Sequence, residues 1–112
     1  KKLLEEALKL NKKEKVLIFR YSTRDVSFTS ELSNELIHKY PKKVVLVARE
    51  AEEELRISLR SGENGVNLPK LLEKVFKEVD GKGGGHEHAG AALIKKEDFN
   101  DFVELVKDNA KK

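Results

Sequence analysis

The stretch VVLVAREAEEELRISLR, residues 44 to 60, sets the architecture of the chain. Its first part belongs to a strand read from Lys43 to Arg49. Val44 to Ala48 is an unbroken apolar run, as expected of a strand covered on both faces. The second part, ELRISLR over residues 54–60, alternates. Leu55, Ile57 and Leu59 point to one side and Arg56, Ser58 and Arg60 to the other. Only Glu50 to Glu53 lie between, a short acidic turn. A parallel crossover needs about a dozen residues or more, so these two strands are antiparallel neighbours.

Outward from this hairpin the chain keeps alternating. Upstream, Lys15 to Tyr21 reads as a strand, with Val16 to Phe19 apolar. Residues 2 to 10 read as a helix with Leu3, Leu4, Ala7, Leu8 and Leu10 near one face, followed by a polar break. Ser22 to Asp25 is a polar turn. A helix runs from about Ser30 to His38, with Leu32, Leu36 and Ile37 inward and Thr29 or Ser30 as the cap, and Pro41 closes the region. Downstream, Glu63-Asn64-Gly65 marks a turn. Asn67 caps a helix with Pro69 in its first turn and an apolar stripe of Leu68, Leu71, Leu72, Val75, Phe76 and Val79. Ala89 to Ile94 is a small-residue strand. A last helix opens at Asp98 or Asn100 and carries Phe99, Phe102, Val103 and Val106 inward. These elements predict an α/β fold: a mixed β-sheet of four to five strands with helices packed on its faces.

The chain has 112 residues, suited to a single domain over residues 1–112 with one modest core. Hydrophobic and charged residues each make up 38%, which suits a folded domain with a solvated surface and not a disordered chain. Cysteine is absent, which excludes disulfides, thiolate metal sites and thiol nucleophiles, and fits a cytoplasmic setting. The apolar runs are too short to span a membrane, so no membrane partner is expected. The 23 basic and 20 acidic residues give a formal charge of +3, which permits a phosphate-bearing partner without demanding one. The chain opens on Lys1-Lys2, as expected of a C-terminal fragment of a longer protein, with residues 1–12 part of an interdomain linker helix.

Between the capped helix and the small-residue strand lies GKGGGHEHAGAALI, residues 81–94, read as a glycine loop leading into the strand. Gly83, Gly84 and Gly85 can take positive φ and expose successive N–H groups as an anion-binding nest. His86 can donate to a phosphate oxygen, and Ala89, Gly90, Ala91 and Ala92 leave room above the strand. A tight structural turn and a ligand loop both fit this pattern. It is not a P-loop, because the Gly-Lys pair precedes the triple glycine and no Ser or Thr follows the lysine. It is not a dinucleotide fingerprint either, since it leads into a strand and not a helix. His86 and His88 flank Glu87, and only His38 remains elsewhere, too little for a metal site. Arg20 and Arg24, near the end of the first strand, read either as solvated arginines or as additions to a positive rim, to which Ser58 and His88 also belong.

These residues resemble a known family. Gly83-Gly84-Gly85-His86 followed by Ala89-Gly90-Ala91 is similar to the GGGH signature of the DHHA1 domain, the C-terminal domain of DHH-family phosphoesterases and RecJ-like exonucleases. Ile57-Ser58-Leu59-Arg60-Ser61 resembles the arginine- and serine-rich strand motif of that family, and the helix over residues 68–79 links the two motifs at the family's spacing. Related domains occur on alanyl-tRNA synthetases, where the residue after the glycines is usually not histidine, which favours the phosphoesterase branch. The resemblance implies that Arg60, His86 and the backbone of Gly83 to Gly85 contact substrate phosphate on a single-stranded DNA or RNA, a short oligonucleotide or a nucleotide. It also implies an N-terminal DHH domain holding two divalent metals, usually manganese, through aspartates and histidines. The Asp-His-His motif does not occur in these 112 residues, so the chain alone is expected to bind without hydrolysing, with no cofactor of its own. Glu87 and His88 depart from the family pattern after the histidine. The alternative class is a protein-interaction or scaffold domain with a vestigial pocket. Archaeal RecJ-like proteins that associate with replication proteins are its precedent.

Overall fold

The computed structural model describes residues 15–22, 29–62 and 66–110. The expected helix over residues 2–10 and the rim residue Arg24 lie outside them. The described elements run β1 (Val16–Tyr21), α1 (Thr29–Lys39), β2 (Val44–Ala51), β3 (Glu54–Ser61), α2 (Leu68–Val75), β4 (Gly81–Gly85), β5 (Ala89–Lys95) and α3 (Phe99–Asn109). The strands form one mixed sheet in the order β1-β2-β3-β5-β4. β1 and β2 are parallel, joined through α1, and every other pairing is antiparallel. The hairpin at residues 44–60 forms as its short link requires, with Val45 opposite Arg60 and Arg49 opposite Arg56. Its turn tightens to Glu52-Glu53, and Glu52 takes the left-handed conformation at φ 57°.

Strand alternation divides the sheet into two faces. Val44, Leu46 and Ala48 of β2, Leu55, Ile57 and Leu59 of β3, and Ala92 and Ile94 of β5 enter one core with α2 and α3. Leu17, Phe19 and Tyr21 of β1 and Val45 and Val47 of β2 enter a second, smaller core under Leu32 and Leu36 of α1. α1 packs on β2 and β3, whereas α2 packs on β3, β4 and β5 and against α3. Asn67 caps α2, its side-chain oxygen accepting from the Lys70 N–H at 3.0 Å. α2 ends at Val75, earlier than its apolar stripe predicts, and Phe76 to Glu78 continue as a turn. Of the two residues expected to open the last helix, Asp98 stands at its N-cap. A 3-10 turn over Lys96–Asp98 leads into α3 at Phe99, and Asp98 makes no capping hydrogen bond.

The principal correction concerns the glycine stretch. It is not a loop: Gly81–Gly85 is β4, an edge strand paired antiparallel with β5. Of these glycines, only Gly85 has positive φ, at 143°. The physical reason is packing. The ring of Phe76, just beyond α2, lies against β4, where a Cβ on Gly81 would come within 2.9 Å of the ring and one on Gly83 within 3.1 Å. A Cβ on Gly83 would also run into the carbonyl oxygen of Ala91. Phe76 in turn stands against Phe102, with ring centroids 6.1 Å apart. Glycines therefore let the strand lie close under an aromatic pair. On the opposite face, a Cβ on Gly84 would meet nothing within 4 Å.

Gly83→Ala should destabilise the domain by roughly 1–3 kcal/mol, the usual penalty for overpacking. Gly84→Ala, one residue away, should stay within about 0.5 kcal/mol of the parent. Urea unfolding of both variants checks the pair, and equal effects would contradict the packing described for β4.

Candidate phosphate-binding cleft

On the face away from α2, α1 packs on β2 and β3, and β5 and β4 carry no helix among the described residues. A cleft of about 890 Å³ opens there. Three cross-strand rows make its floor. The first sets Arg60 of β3 beside Ala89 of β5, with His86 facing Ala89 across the turn. The second places Ser58, Ala91 and Gly84 side by side. The third aligns Arg49 of β2, Arg56, Leu93 and Lys82 across four strands. The first turn of α1, at Thr29 and Ser30, forms one wall. It contributes the partial positive charge of a helix N-terminus. Four cationic side chains line the cleft, and no carboxylate does among the described residues.

Arg60 is held in place. Its Nε donates to Asn34 Oδ1 at 2.7 Å, and its Nη1 donates to Ser58 Oγ at 3.0 Å and to the Leu59 carbonyl at 2.8 Å. Among the described residues its Nη2 makes no hydrogen bond and remains available. Burial lowers the pKa of this guanidinium below the usual arginine value, and an arginine still carries its charge at neutral pH. Ser58, 5% exposed, links Arg60 to α1 through a 2.9 Å hydrogen bond with Ser33 Oγ. Ser33 Oγ donates in turn to the Ser30 carbonyl at 3.0 Å.

Arg49 is different. Its Nε is buried and makes no hydrogen bond among the described residues. A buried donor left unmade costs about 1–3 kcal/mol, more for a charged group. Arg49 and Arg56 face each other across the β2–β3 ladder, where like charges directly opposite are also destabilising. The alternation of ELRISLR points to Arg56, but in sequence Arg49 reads only as the end of a buried strand, and Lys82 only as a misplaced P-loop lysine. Their meeting depends on sheet register, which sets Lys82 beside arginines more than twenty positions away in sequence.

The other proposed site residues divide. Gly83, Gly84 and Gly85 line the cleft with Arg60 and Ser58. They do not form the expected nest of N–H groups. His86 and Ala89 exchange both backbone hydrogen bonds, 2.8 and 3.3 Å. Their pairing makes Gly84 and Ala91 the next exchanging pair and turns the N–H groups of Gly83 and Gly85 outward along the sheet edge. His86 and His88 are exposed at the β4–β5 turn and are not among the lining residues. His88 stands 4.0 Å from Glu87, and its carbonyl accepts from the Ser61 N–H at 3.0 Å, so this turn is tied to the end of β3. Arg20 does not join the rim. It lies on the opposite face of the sheet, bonded to Glu50 at 3.2 Å and 5.0 Å above the Phe99 ring. Its strand position has the parity of Val16 and Ile18, opposite to the parity that the cleft requires. Among the described residues no group of three His, Cys, Asp or Glu lies together to hold a metal ion. No described helix is long and apolar enough to cross a membrane.

Comparison with known proteins agrees with this fold. Residues 13–112 match the model of the DHHA1 domain, and the chain belongs to that family. An uncharacterized protein of Methanocaldococcus jannaschii is 43% identical over 49 residues, which cover 41% of this chain and 15% of that protein. RecJ of Thermus thermophilus, in complex with Mn2+, superposes with a TM-score of 0.79 at 14% identity, covering 97% of this chain and 16% of RecJ. The C-Ala domain of alanyl-tRNA synthetase from Aquifex aeolicus superposes with a TM-score of 0.70 at 20% identity, covering 85% of this chain and 91% of that domain. At such identities the two solved structures share the fold. The chain spans less than a fifth of the M. jannaschii relative and of RecJ.

Ser33→Ala and Ser58→Ala should each cost about 0.5–1.5 kcal/mol through the missing hydrogen bond. In a double-mutant cycle followed by urea unfolding, the two should couple by at least roughly 0.5 kcal/mol. Strict additivity would show that the Ser33–Ser58 contact does not hold α1 to β3.

Proposed function

We propose that the chain binds the phosphates of a single-stranded nucleic acid or nucleotide in this cleft and presents them to a metal-bearing DHH domain. One observation carries the reading: Arg49, Arg56, Arg60 and Lys82 line one cleft, with no carboxylate among its described lining residues, over a floor left open by Gly84. A fork of guanidinium donors suits phosphate oxygens, and the small floor lets a backbone approach closely. On this reading His86, across the turn from Ala89 in the Arg60 row, adds a contact at the cleft's end when the ligand binds. RecJ in complex with Mn2+ shares the fold, which supports a DHH-domain partner. The manganese belongs, on this reading, to that partner. The described residues supply no cluster to hold it, and this chain's part is to bind and orient.

Binding of a labelled single-stranded oligonucleotide should weaken steeply with salt, because each phosphate contact releases counterions. Arg60→Ala should reduce affinity by about 1.5–3 kcal/mol, the worth of hydrogen bonds from a charged donor. It should also flatten the slope of log affinity against log salt by about 0.7 for each phosphate no longer neutralised. Unchanged affinity in the Arg60 variant would overturn this reading and favour a protein-interaction domain with a vestigial pocket.

The chain alone should not release mononucleotides from short DNA or RNA when manganese is added, since two-metal hydrolysis needs ligands that hold ions about 3.5–4 Å apart. Chelator-sensitive turnover by residues 1–112 would refute the division of labour.

A further inference from the structure

The cleft has two cationic rows, not one, and the geometry points to a second phosphate subsite at Arg49, Arg56 and Lys82, separate from Arg60. We infer that the ligand is a strand with several phosphodiesters, lying along β3 and contacting both rows, and that the cleft discriminates against mononucleotides. This inference rests on the phosphate-binding reading of the same cleft.

Arg56 and Arg60 lie four residues apart on one face of β3, a span of about 13 Å at the rise of an antiparallel strand. Arg60 cannot swing to close that gap without losing its bonds to Asn34 and Ser58. Between the rows lie Ser58, Ala91 and Gly84, and the missing Cβ at Gly84 leaves open space above the strand. Nothing there would bind a phosphate strongly, and nothing blocks a chain that crosses.

The third row also lacks protein partners. Arg20 and Lys96 both pair with Glu50 on the opposite face, and Lys43 stands over the Tyr40 ring. Among the described residues, Arg49, Arg56 and Lys82 have no side-chain hydrogen bond, carboxylate or ring partner. The buried Nε of Arg49 is the clearest case. Arg56 also borders a pocket lined by Glu52, Glu53, Glu54 and Glu97, but none of the three cations forms an ion pair among the described residues, and together they fit an anion supplied from outside. A single terminal phosphate occupies one row, whereas a strand reaches both.

The test compares a nucleoside monophosphate with single-stranded oligonucleotides of increasing length, titrated against the parent chain, Arg60→Ala, Arg49→Gln and Lys82→Gln. Lys82 is exposed on an edge strand, so its variant reports even if Arg49→Gln fails to fold. In the parent, affinity should rise with length until both rows are spanned and then level. Arg49→Gln should weaken the longer strands about tenfold, the scale of one charge-assisted contact. The mononucleotide should lose less than about twofold. Lys82→Gln should show the same asymmetry to a smaller extent. Arg60→Ala should weaken both ligands. If Arg49→Gln and Lys82→Gln weaken both ligands equally, or neither, while Arg60→Ala still weakens both, the second subsite is wrong and the phosphate-binding reading survives. If no oligonucleotide binds the parent, or Arg60→Ala changes nothing, both fall together.

Discussion

Everything else in the domain follows from the position of β3. It pairs antiparallel with β2 on one side and with β5 on the other, so its pairing fixes the register of the three central strands. Because side chains alternate with a period of two, that register places Leu55, Ile57 and Leu59 in the larger core and Arg56, Ser58 and Arg60 on the opposite face. A slip of one residue would drive two arginines into the core and expose three large apolar residues. Burial of Leu55 and Leu59 to 0% exposure resists such a slip. The apolar contacts of β3 thereby also hold the cationic cleft in place.

The two faces of the sheet are built for different purposes. On the α2–α3 face, Phe102, Leu68, Leu72 and Ile94 close a continuous core, and β4 gives up its side chains so that Phe76 can lie against it. On the other face, α1 packs on β2 and β3, while β5 and β4 stay open among the described residues. The glycines of β4 serve both faces at once. Gly81 and Gly83 permit close packing on one side, and Gly84 keeps the other side clear. A strand with side chains at these positions would lose either the aromatic packing or the cleft.

The cleft stores unfavourable electrostatics. Arg49 and Arg56 face each other, Arg49 keeps a buried donor unmade among the described residues, and Arg60 loses hydration on burial. Each of these costs stability. Such costs are tolerated where a ligand relieves them. The opposite face shows how the same chain neutralises charge for stability alone, with Arg20 and Lys96 both set against Glu50.

Fold class is legible in the chain alone, because burial on two faces, alternation and short links are local properties. The unbroken run at residues 44–48, the alternation at 54–60 and the Asn67-Leu68-Pro69 start of α2 can each be read within a few residues. The GGGH and SLRS motifs point to the family and to the pairing of Arg60 with the glycines in one cleft. The remaining features arise only when the sheet assembles. A run of glycines has no side-chain pattern, so nothing local distinguishes a loop from an edge strand, and only pairing with β5 and the ring of Phe76 make it a strand. Arg20 looks like Arg60 in sequence, an arginine near a strand end, but sheet parity sends it to the other face. Arg49, Arg56 and Lys82 are spread along the chain, and the hydrogen-bonded register of four strands puts them in one row.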